Sequence, residues 1–111
     1  MGSKGRPRKA TDYETAFSFA GAYGILREEV WMDEQGVVFR YNLAFVVPHL
    51  SRVDHGRVLG YDNGHGRHEQ HFLGRVESVE YIDFPSLSDR FYREVEELRR
   101  SYESEGFHGW I

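Results

Sequence analysis

The sequence predicts an α+β fold: a four-stranded antiparallel sheet, arranged as a meander, with a C-terminal helix and a short N-terminal helix packed on one face. Three observations lead to this prediction. Runs of alternating apolar and polar residues fill the middle of the chain, clusters of Gly, Asn and Asp separate these runs, and apolar residues at helical spacing follow Pro85. With 111 residues, the chain has the usual size of a single domain.

The N-terminal part of the chain is expected to contain an arm and then the first helix. Residues 1–10 are rich in Gly, Pro and cations and show no apolar periodicity, which predicts a flexible basic arm ahead of a single domain at residues 11–111. Thr11 or Asp12 can serve as an N-cap. The apolar side chains that follow favour a helix over residues 11–24.

A hairpin supplies the first two predicted strands. Residues 25–32 and 37–47 flank the sequence DEQG, in which Gly36 can adopt the positive φ of a tight turn. The second run alternates an apolar face with a mixed one, as expected for a strand that is buried on one side. Pro48 ends this run because proline cannot donate a backbone hydrogen bond.

Two further strands are predicted beyond the hairpin. The third covers RVLGY at residues 57–61. The glycine-rich sequence DNGHG then forms a turn, and the fourth strand runs from His68 with a bend at Gly74. Because all connections are short, we expect the four strands to follow one another as an antiparallel meander.

A C-terminal helix is predicted after Pro85. Ser86 or Ser88 can act as its N-cap, because a serine hydroxyl accepts a hydrogen bond from the free N–H groups of the first turn. Gly106 marks its end. The apolar residues that define its buried face lie at near-helical spacing: Leu87, Phe91, Val95, Leu98 and Tyr102.

Composition and charge narrow the kinds of protein that fit. The chain has no cysteine, which excludes disulfides, thiolate metal sites and cysteine nucleophiles. It lacks an apolar run of the ~20 residues that a membrane span needs, and its start lacks the apolar core of a signal peptide, so we expect a cytoplasmic protein. The net charge is −4, yet residues 40–75 carry five arginines against three acids, together with five of the six histidines. This local excess of positive charge favours a polyanionic partner such as RNA.

The segment GYDNGHGRHEQHF, at residues 60–72, concentrates the side chains that carry chemistry. Metal-independent cleavage of RNA needs a general base, a general acid and a cation that stabilises the charged phosphorus centre. Histidine suits both proton transfers because its ordinary pKa is about 6.5, and arginine binds phosphate through a planar fork of donors. The candidate catalytic residues are His65, His68, His71, Asp62 and Tyr61, and the candidate substrate-binding residues are Arg40, Arg57, Arg67 and Arg75.

Two other interpretations of the histidines stay open. A metal site could use Asp62 or Glu69 as an oxygen ligand, but on a strand His68 and His71 point to opposite faces, which opposes a simple three-histidine site. We therefore assign no metal ligand and no cofactor from the sequence. The histidines could also be half-exposed residues of a hairpin loop that has no function, since such loops are polar and glycine-rich.

Three stretches of the chain carry a family resemblance: RYN at Arg40–Asn42, RVLGYDN at Arg57–Asn63 and HGRHEQH at His65–His71. Together they resemble the TumE-like family of toxins from prokaryotic toxin–antitoxin systems, over residues 28–99. The resemblance implies a small cytoplasmic toxin that acts on RNA or translation and that a cognate antitoxin protein neutralises. The chain departs from the family pattern in its basic arm and in RHEQH, where a denser run of histidine and arginine is expected.

The sequence thus leads to the hypothesis of a toxin that acts as a small metal-independent ribonuclease. His71 and one of the two other clustered histidines would exchange protons with the substrate. Arg57 and Arg67 would hold phosphate, and Asp62 would orient a histidine. The expected partners are RNA and the antitoxin, with no membrane, and a dimer is compatible with the sequence. The alternatives are a non-enzymatic binding module that docks on a protein or nucleic-acid target, and a histidine-based metal-dependent hydrolase.

Overall fold

The computed structural model describes residues 8–19, 21–48 and 50–106, which form one six-stranded antiparallel sheet followed by a long helix. The elements are β1 (Arg8–Phe19), β2 (Ala22–Met32), β3 (Val38–Val46), β4 (Arg57–Asp62), β5 (Glu69–Phe72), β6 (Arg75–Ser78) and α1 (Phe84–Glu105). Each strand pairs with the next one along the chain, so the sheet order is β1-β2-β3-β4-β5-β6. The α+β class and the antiparallel meander agree with the prediction, whereas the four strands and the N-terminal helix do not.

The predicted helix over residues 11–24 is wrong, because residues 11–19 belong to β1 and residues 22–24 to β2. Gly21 lies in the turn between the two strands, where its φ of 79° suits a residue without a side chain. Thr11 and Asp12 lie inside β1 and cap no helix. Residues 15–18 alternate between partly buried and exposed side chains, which is the period of two that a strand requires.

Part of the predicted basic arm lies in the sheet. Residues 1–7 are outside the described residues, whereas residues 8–10 begin β1. Lys9 Nζ is 2.8 Å from Glu29 Oε2 and 3.2 Å from Asp12 Oδ2. The ammonium group of Lys9 therefore forms an ion pair that links β1 to β2.

The predicted fourth strand is in fact two strands, β5 and β6. Leu73 and Gly74 separate them as a two-residue turn, with φ values of 49° and 86°. Two positive φ values in succession are typical of the tight turns that fit the twist of a hairpin. Gly74 therefore reverses the chain where only a bend was expected, and together with β1 this raises the number of strands to six in the described residues.

The central hairpin was predicted correctly. β2 and β3 pair in antiparallel register, from Ile25 opposite Val46 to Trp31 opposite Arg40. Gly36 in the connecting turn has a φ of 80°. The third predicted strand is also present, as β4.

The C-terminal helix is confirmed, but it begins earlier than predicted. Asp83 is its N-cap, and the Asp83 carboxylate accepts a hydrogen bond of 2.8 Å from the Ser86 N–H. Pro85 lies within the first turn, where the missing N–H has no helical partner in any case. Gly106 is the C-cap, with a φ of 71°, and it donates its N–H to the Tyr102 carbonyl.

The hydrophobic core lies between α1 and one face of the sheet. Its buried side chains come from the sheet, the residue that follows β3 and the inner side of the helix: Tyr41, Leu43, Phe45, Val47, Val58, Leu59, Tyr61, Leu87, Phe91 and Val95. The ring of Tyr61 meets that of Phe91 edge to face at 6.3 Å. The other face of the sheet, opposite α1, is called the open face below. In the part of the chain that the structure describes, no helix is both long and apolar enough to cross a membrane.

Candidate functional site

Strand register brings four of the chain's chemically distinctive residues side by side on the open face. Asp62 of β4 lies opposite Glu69 of β5, and Gly60 lies opposite His71. Asn42 of β3 lies opposite Asp62 on the other side. Because every second residue of a strand points to the same face, these residues share the open face. The centre of this face is therefore polar, although it belongs to a sheet whose other side is the core.

Arg57 lies across the open face at the centre of this group. Its Nε is 2.7 Å from Asp54 Oδ2, and its Nη1 is 3.3 Å from Asp62 Oδ2. Gly60 makes room for it, since a Cβ at that position would lie only 2.6 Å from the Arg57 Cδ. The Asp54 and Asp62 carboxylates thus hold the Arg57 guanidinium against the sheet, and Gly60 leaves the space that the Arg57 side chain occupies.

The turn at Val53–Gly56, directly before β4, positions the first of these carboxylates. Asp54 and His55 have φ values of 51° and 55°, and Gly56 has 84°. Non-glycine residues seldom adopt this left-handed region, although Asp tolerates it better than most. The conformation brings the Asp54 carboxylate back towards the start of β4, where it meets Arg57.

His71 is the buried imidazole of the site, with 8% of its surface exposed. Its Nε2 is 3.0 Å from Asp62 Oδ2 and 3.8 Å from Glu69 Oε1, and its Nδ1 is 3.8 Å from Asp54 Oδ2. Although it is enclosed by these oxygens, Nε2 makes no hydrogen bond of acceptable geometry. A buried nitrogen in this state is uncommon and points to a function for the space around it.

Glu69 is the buried carboxylate of the site, with 4% of its surface exposed. The Arg67 Nε lies 2.7 Å from its Oε2, and this hydrogen bond lowers the pKa of Glu69 below its ordinary value. The other oxygen, Oε1, faces two imidazoles: His71 Nε2 at 3.8 Å and His65 Nδ1 at 3.6 Å. One oxygen of an ionised carboxylate is therefore shared by a buried and an exposed histidine.

Two clefts lie beside Arg57 on the open face, with volumes of about 300 and 480 Å³, and both are lined in part by Asn42 and Arg57. The smaller one also contains Glu29, Trp31, Arg40, Asp62, Gly64 and His65. The larger one continues past Asp54 and His55. The charged cluster therefore borders two neighbouring clefts that share Asn42 and Arg57, and these two clefts together are called the groove below.

Trp31 and Arg40 form one wall of the smaller cleft. The guanidinium carbon of Arg40 is 5.3 Å from the centre of the Trp31 ring, and Lys9 Nζ is 4.9 Å from the centre of the same ring. Cations over an indole face are held by its negative quadrupole. This wall offers both a flat aromatic surface and positive charge.

His68 does not join the site. Its Nδ1 is 2.7 Å from the Tyr41 hydroxyl, and its ring stacks on that of Tyr81 at 3.8 Å. Burial lowers the pKa of His68, which favours the neutral imidazole. The candidate catalytic residue His68 is therefore a packing residue between the sheet and the segment that leads into α1.

Tyr61 and Arg75 also lie on the helix side of the sheet. The Tyr61 hydroxyl donates to a Glu94 carboxylate oxygen and accepts from Gln70 Nε2. Burial raises the pKa of Tyr61, so it keeps its proton. Arg75 lies over the ring of Phe72, at 5.4 Å. Neither residue reaches the groove on the open face.

Of the candidate residues named from the sequence, the structure brings together His65, His71, Asp62, Arg40, Arg57 and Arg67. Sequence reasoning missed Asp54, Trp31 and Asn42. A signal for Asp54 was present in the turn sequence Asp-His-Gly at residues 54–56. The position of Trp31 opposite Arg40 depends on hairpin register. His49 and His108 lie outside the described residues.

Comparison with protein-family models, curated proteins and solved structures finds no significant match to this chain. The resemblance to TumE-like toxins therefore stays a prediction, and the function has to be argued from the groove itself.

Proposed function

We propose that the chain is a toxin-type endoribonuclease that binds and cleaves RNA on the open face of its sheet. The observation that carries the proposal is the convergence of two imidazoles on one carboxylate oxygen. His65 Nδ1 and His71 Nε2 lie 3.6 and 3.8 Å from Glu69 Oε1. Both nitrogens therefore face the same carboxylate oxygen, one from an exposed side chain and one from a buried side chain.

The reaction would be an attack of the ribose 2′-oxygen on the adjacent phosphorus. A bond forms between the 2′-oxygen and phosphorus while the bond from phosphorus to the 5′-oxygen breaks. One imidazole accepts the 2′-hydroxyl proton and the other donates a proton to the leaving 5′-oxygen. His65, with 80% of its side chain exposed, is the imidazole that meets solvent, whereas Asp62, 3.0 Å from Nε2 of His71, would have to move aside before that nitrogen exchanges a proton with the substrate.

The groove beside the imidazoles supplies the groups that an RNA strand needs. Arg57, at the junction of the two clefts, is the closest guanidinium for a phosphate. Trp31 offers a face on which a base can stack, an interaction that contributes about 1–3 kcal/mol per base in single-strand binding. Arg40 beside it adds positive charge for the backbone. Recognition of a single strand by stacking and charge fits a toxin that acts on RNA in the cytoplasm and that an antitoxin protein blocks.

Cleavage by the purified full chain tests the proposal. We expect cleavage of single-stranded RNA in the presence of EDTA, and we expect His65→Ala or His71→Ala to slow it by about 100-fold or more. His68→Gln is the matched control, because that histidine lies on the other side of the sheet. Circular dichroism checks that each variant is folded. Intact RNA with wild-type protein, or equal losses in the folded His68 and His71 variants, would refute the proposal.

A second candidate is a non-enzymatic toxin that docks in the same groove. One observation favours it: Arg57 and Arg67 are both ion-paired with carboxylates, which weakens their attraction for phosphate. In that case expression of the chain stops growth while cellular RNA stays intact. Arg40→Ala, which removes a cation from the groove wall, should then relieve the toxicity, and His71→Ala should not.

A further inference from the structure

We infer that Asp62, Glu69 and His71 form a binding site for a divalent transition-metal ion. One ligand atom from each residue lies within 4.8 Å of the others. The inference concerns the same region as the proposed ribonuclease site, but it does not require the chain to act on RNA. It rests on three independent features of these side chains: their spacing, the state of the buried nitrogen and the local charge.

The spacing is close to that of a coordination sphere. Two ligand atoms bound to one ion at about 2.1 Å lie roughly 3.0–3.4 Å apart at octahedral or tetrahedral angles. His71 Nε2 and Asp62 Oδ2 already lie 3.0 Å apart. Nε2 and Glu69 Oε1 are 3.8 Å apart, and no two of the three ligand atoms are more than 4.8 Å apart, so the Glu69 carboxylate would have to move closer to complete the set.

The buried nitrogen of His71 has no hydrogen-bond partner and is suited to bind a metal ion. His71 Nε2 is fully enclosed and makes no hydrogen bond, although carboxylate oxygens surround it. A hydrogen bond from this nitrogen would require its N–H to point at one oxygen. A lone pair on the nitrogen that points between the Asp62 and Glu69 oxygens instead suits an ion that contacts the nitrogen and both oxygens. The other ring nitrogen, Nδ1, faces Asp54 Oδ2 at 3.8 Å. A carboxylate that accepts a hydrogen bond from this second nitrogen fixes the tautomer of metal-binding histidines, so Asp54 would have to come closer to Nδ1 to take that role.

Charge also favours a cation. The three carboxylates of Asp54, Asp62 and Glu69 are opposed by the guanidinium groups of Arg57 and Arg67. With neutral imidazoles, one negative charge remains at the centre. Arg67 binds Oε2 of Glu69, so Oε1 is the oxygen turned towards Nε2. A cation there would neutralise the remaining charge without displacing either arginine.

The ligand set selects the kind of ion. One imidazole and two carboxylates suit Mn²⁺, Fe²⁺ or Zn²⁺ better than Mg²⁺ or Ca²⁺, which prefer oxygen ligands alone. His65 Nδ1, 3.6 Å from Glu69 Oε1, can supply a fourth ligand from its exposed loop. A second nitrogen would shift the preference further towards Zn²⁺. We therefore expect the order of affinity to be Zn²⁺ above Mn²⁺, with Mg²⁺ far weaker.

Calorimetric titration of the full chain, first freed of metal by chelator, tests the inference with ZnCl₂, MnCl₂ and MgCl₂ as probes. We expect one Zn²⁺ per chain, and binding that is at least tenfold weaker in Asp62→Asn and in Glu69→Gln. These variants keep the size of each side chain, so they avoid the risk that His71→Ala does not fold. His68→Gln, on the helix side, should bind as the wild type does. Absence of Zn²⁺ binding, or equal binding by the wild type and both carboxylate variants, would overturn the inference.

An RNA-cleavage assay on the same samples separates this inference from the proposed function. A chain that binds one Zn²⁺ through these residues but leaves RNA intact supports the metal site and removes the ribonuclease. A chain that cleaves RNA without binding metal supports the ribonuclease and removes the metal site. If both hold, Zn²⁺ should slow cleavage in proportion to occupancy, because the single lone pair of His71 Nε2 cannot bind an ion and exchange a proton at the same time.

Discussion

Gly60→Ala tests how Arg57 is held on the open face. The new Cβ would lie 2.6 Å from the Arg57 Cδ and 3.0 Å from its Nη1, so the Arg57 side chain must shift away from residue 60. It then gives up the 2.7 Å contact with Asp54 and the weaker 3.3 Å contact with Asp62. A hydrogen bond between charged groups contributes about 1.5–3 kcal/mol, and water repays part of that loss. We expect the free energy of unfolding to fall by about 2 kcal/mol.

Urea denaturation of a double-mutant cycle measures this effect directly. In the Arg57→Ala background the clash is gone, and alanine is favoured over glycine in a strand by about 0.5–1 kcal/mol. Gly60→Ala should therefore be neutral or stabilising there, which gives a coupling energy of about 2 kcal/mol. Gly64→Ala is the control, because the nearest atom to its Cβ is Asp62 Oδ1 at 4.0 Å. Equal destabilisation by Gly60→Ala in both backgrounds would refute the reasoning.

Three further predictions concern the helix side. Tyr41→Phe removes the hydroxyl 2.7 Å from His68 Nδ1, so urea denaturation should show a loss of about 1 kcal/mol with RNA cleavage unchanged; a loss of cleavage would contradict the division into two faces. Phe91→Ala empties the centre of the core and should cost about 3–5 kcal/mol, and a thermal melt close to that of the wild type would be inconsistent with this core. Hydrogen bonds from Ser86 lower the pKa of Asp83, so the cap stabilises the helix above the ordinary pKa of an aspartate and its contribution is lost as the pH falls through and below about 4. Stability in Asp83→Asn should depend less on acid pH, and an unchanged acid titration would argue against the cap.

The middle of the fold could be predicted from the sequence because local signals agreed there. The alternation after Val38, the turn at Gly36 and the helical spacing after Pro85 all indicate the elements that the structure contains. Residues 11–24 were wrongly predicted to form a helix, because their apolar side chains and a cap residue also fit a helix. Their alternation of exposure depends on pairing with β2, which no local pattern contains. Gly74 was predicted to bend a single strand, whereas in the structure it lies in a turn that reverses the chain between β5 and β6.

The sequence indicated which types of residue form the candidate site, but not how their side chains are arranged in space. The histidine segment lies on a turn and a strand, as predicted, and the alternation of side chains along a strand already placed His68 and His71 on opposite faces. The partners of His71 come from other segments, because Asp54 is brought in by a left-handed turn and Asp62 by the register of β4 with β5. Register and turn conformation are long-range properties, so single-sequence patterns leave them open.

The four residues of β5 alternate between the two sides of the sheet, since Glu69 and His71 lie on the open face while Gln70 and Phe72 lie on the side of α1. One residue inserted after Glu69 would turn the imidazole into the apolar layer and the phenyl ring out to solvent. A substitution at Glu69 or His71 can therefore change the chemistry of the open face without changing the residues that pack against α1. A change in strand length, in contrast, would damage reactivity and folding in a single step, so natural variants of this segment should differ in residue identity and not in residue number.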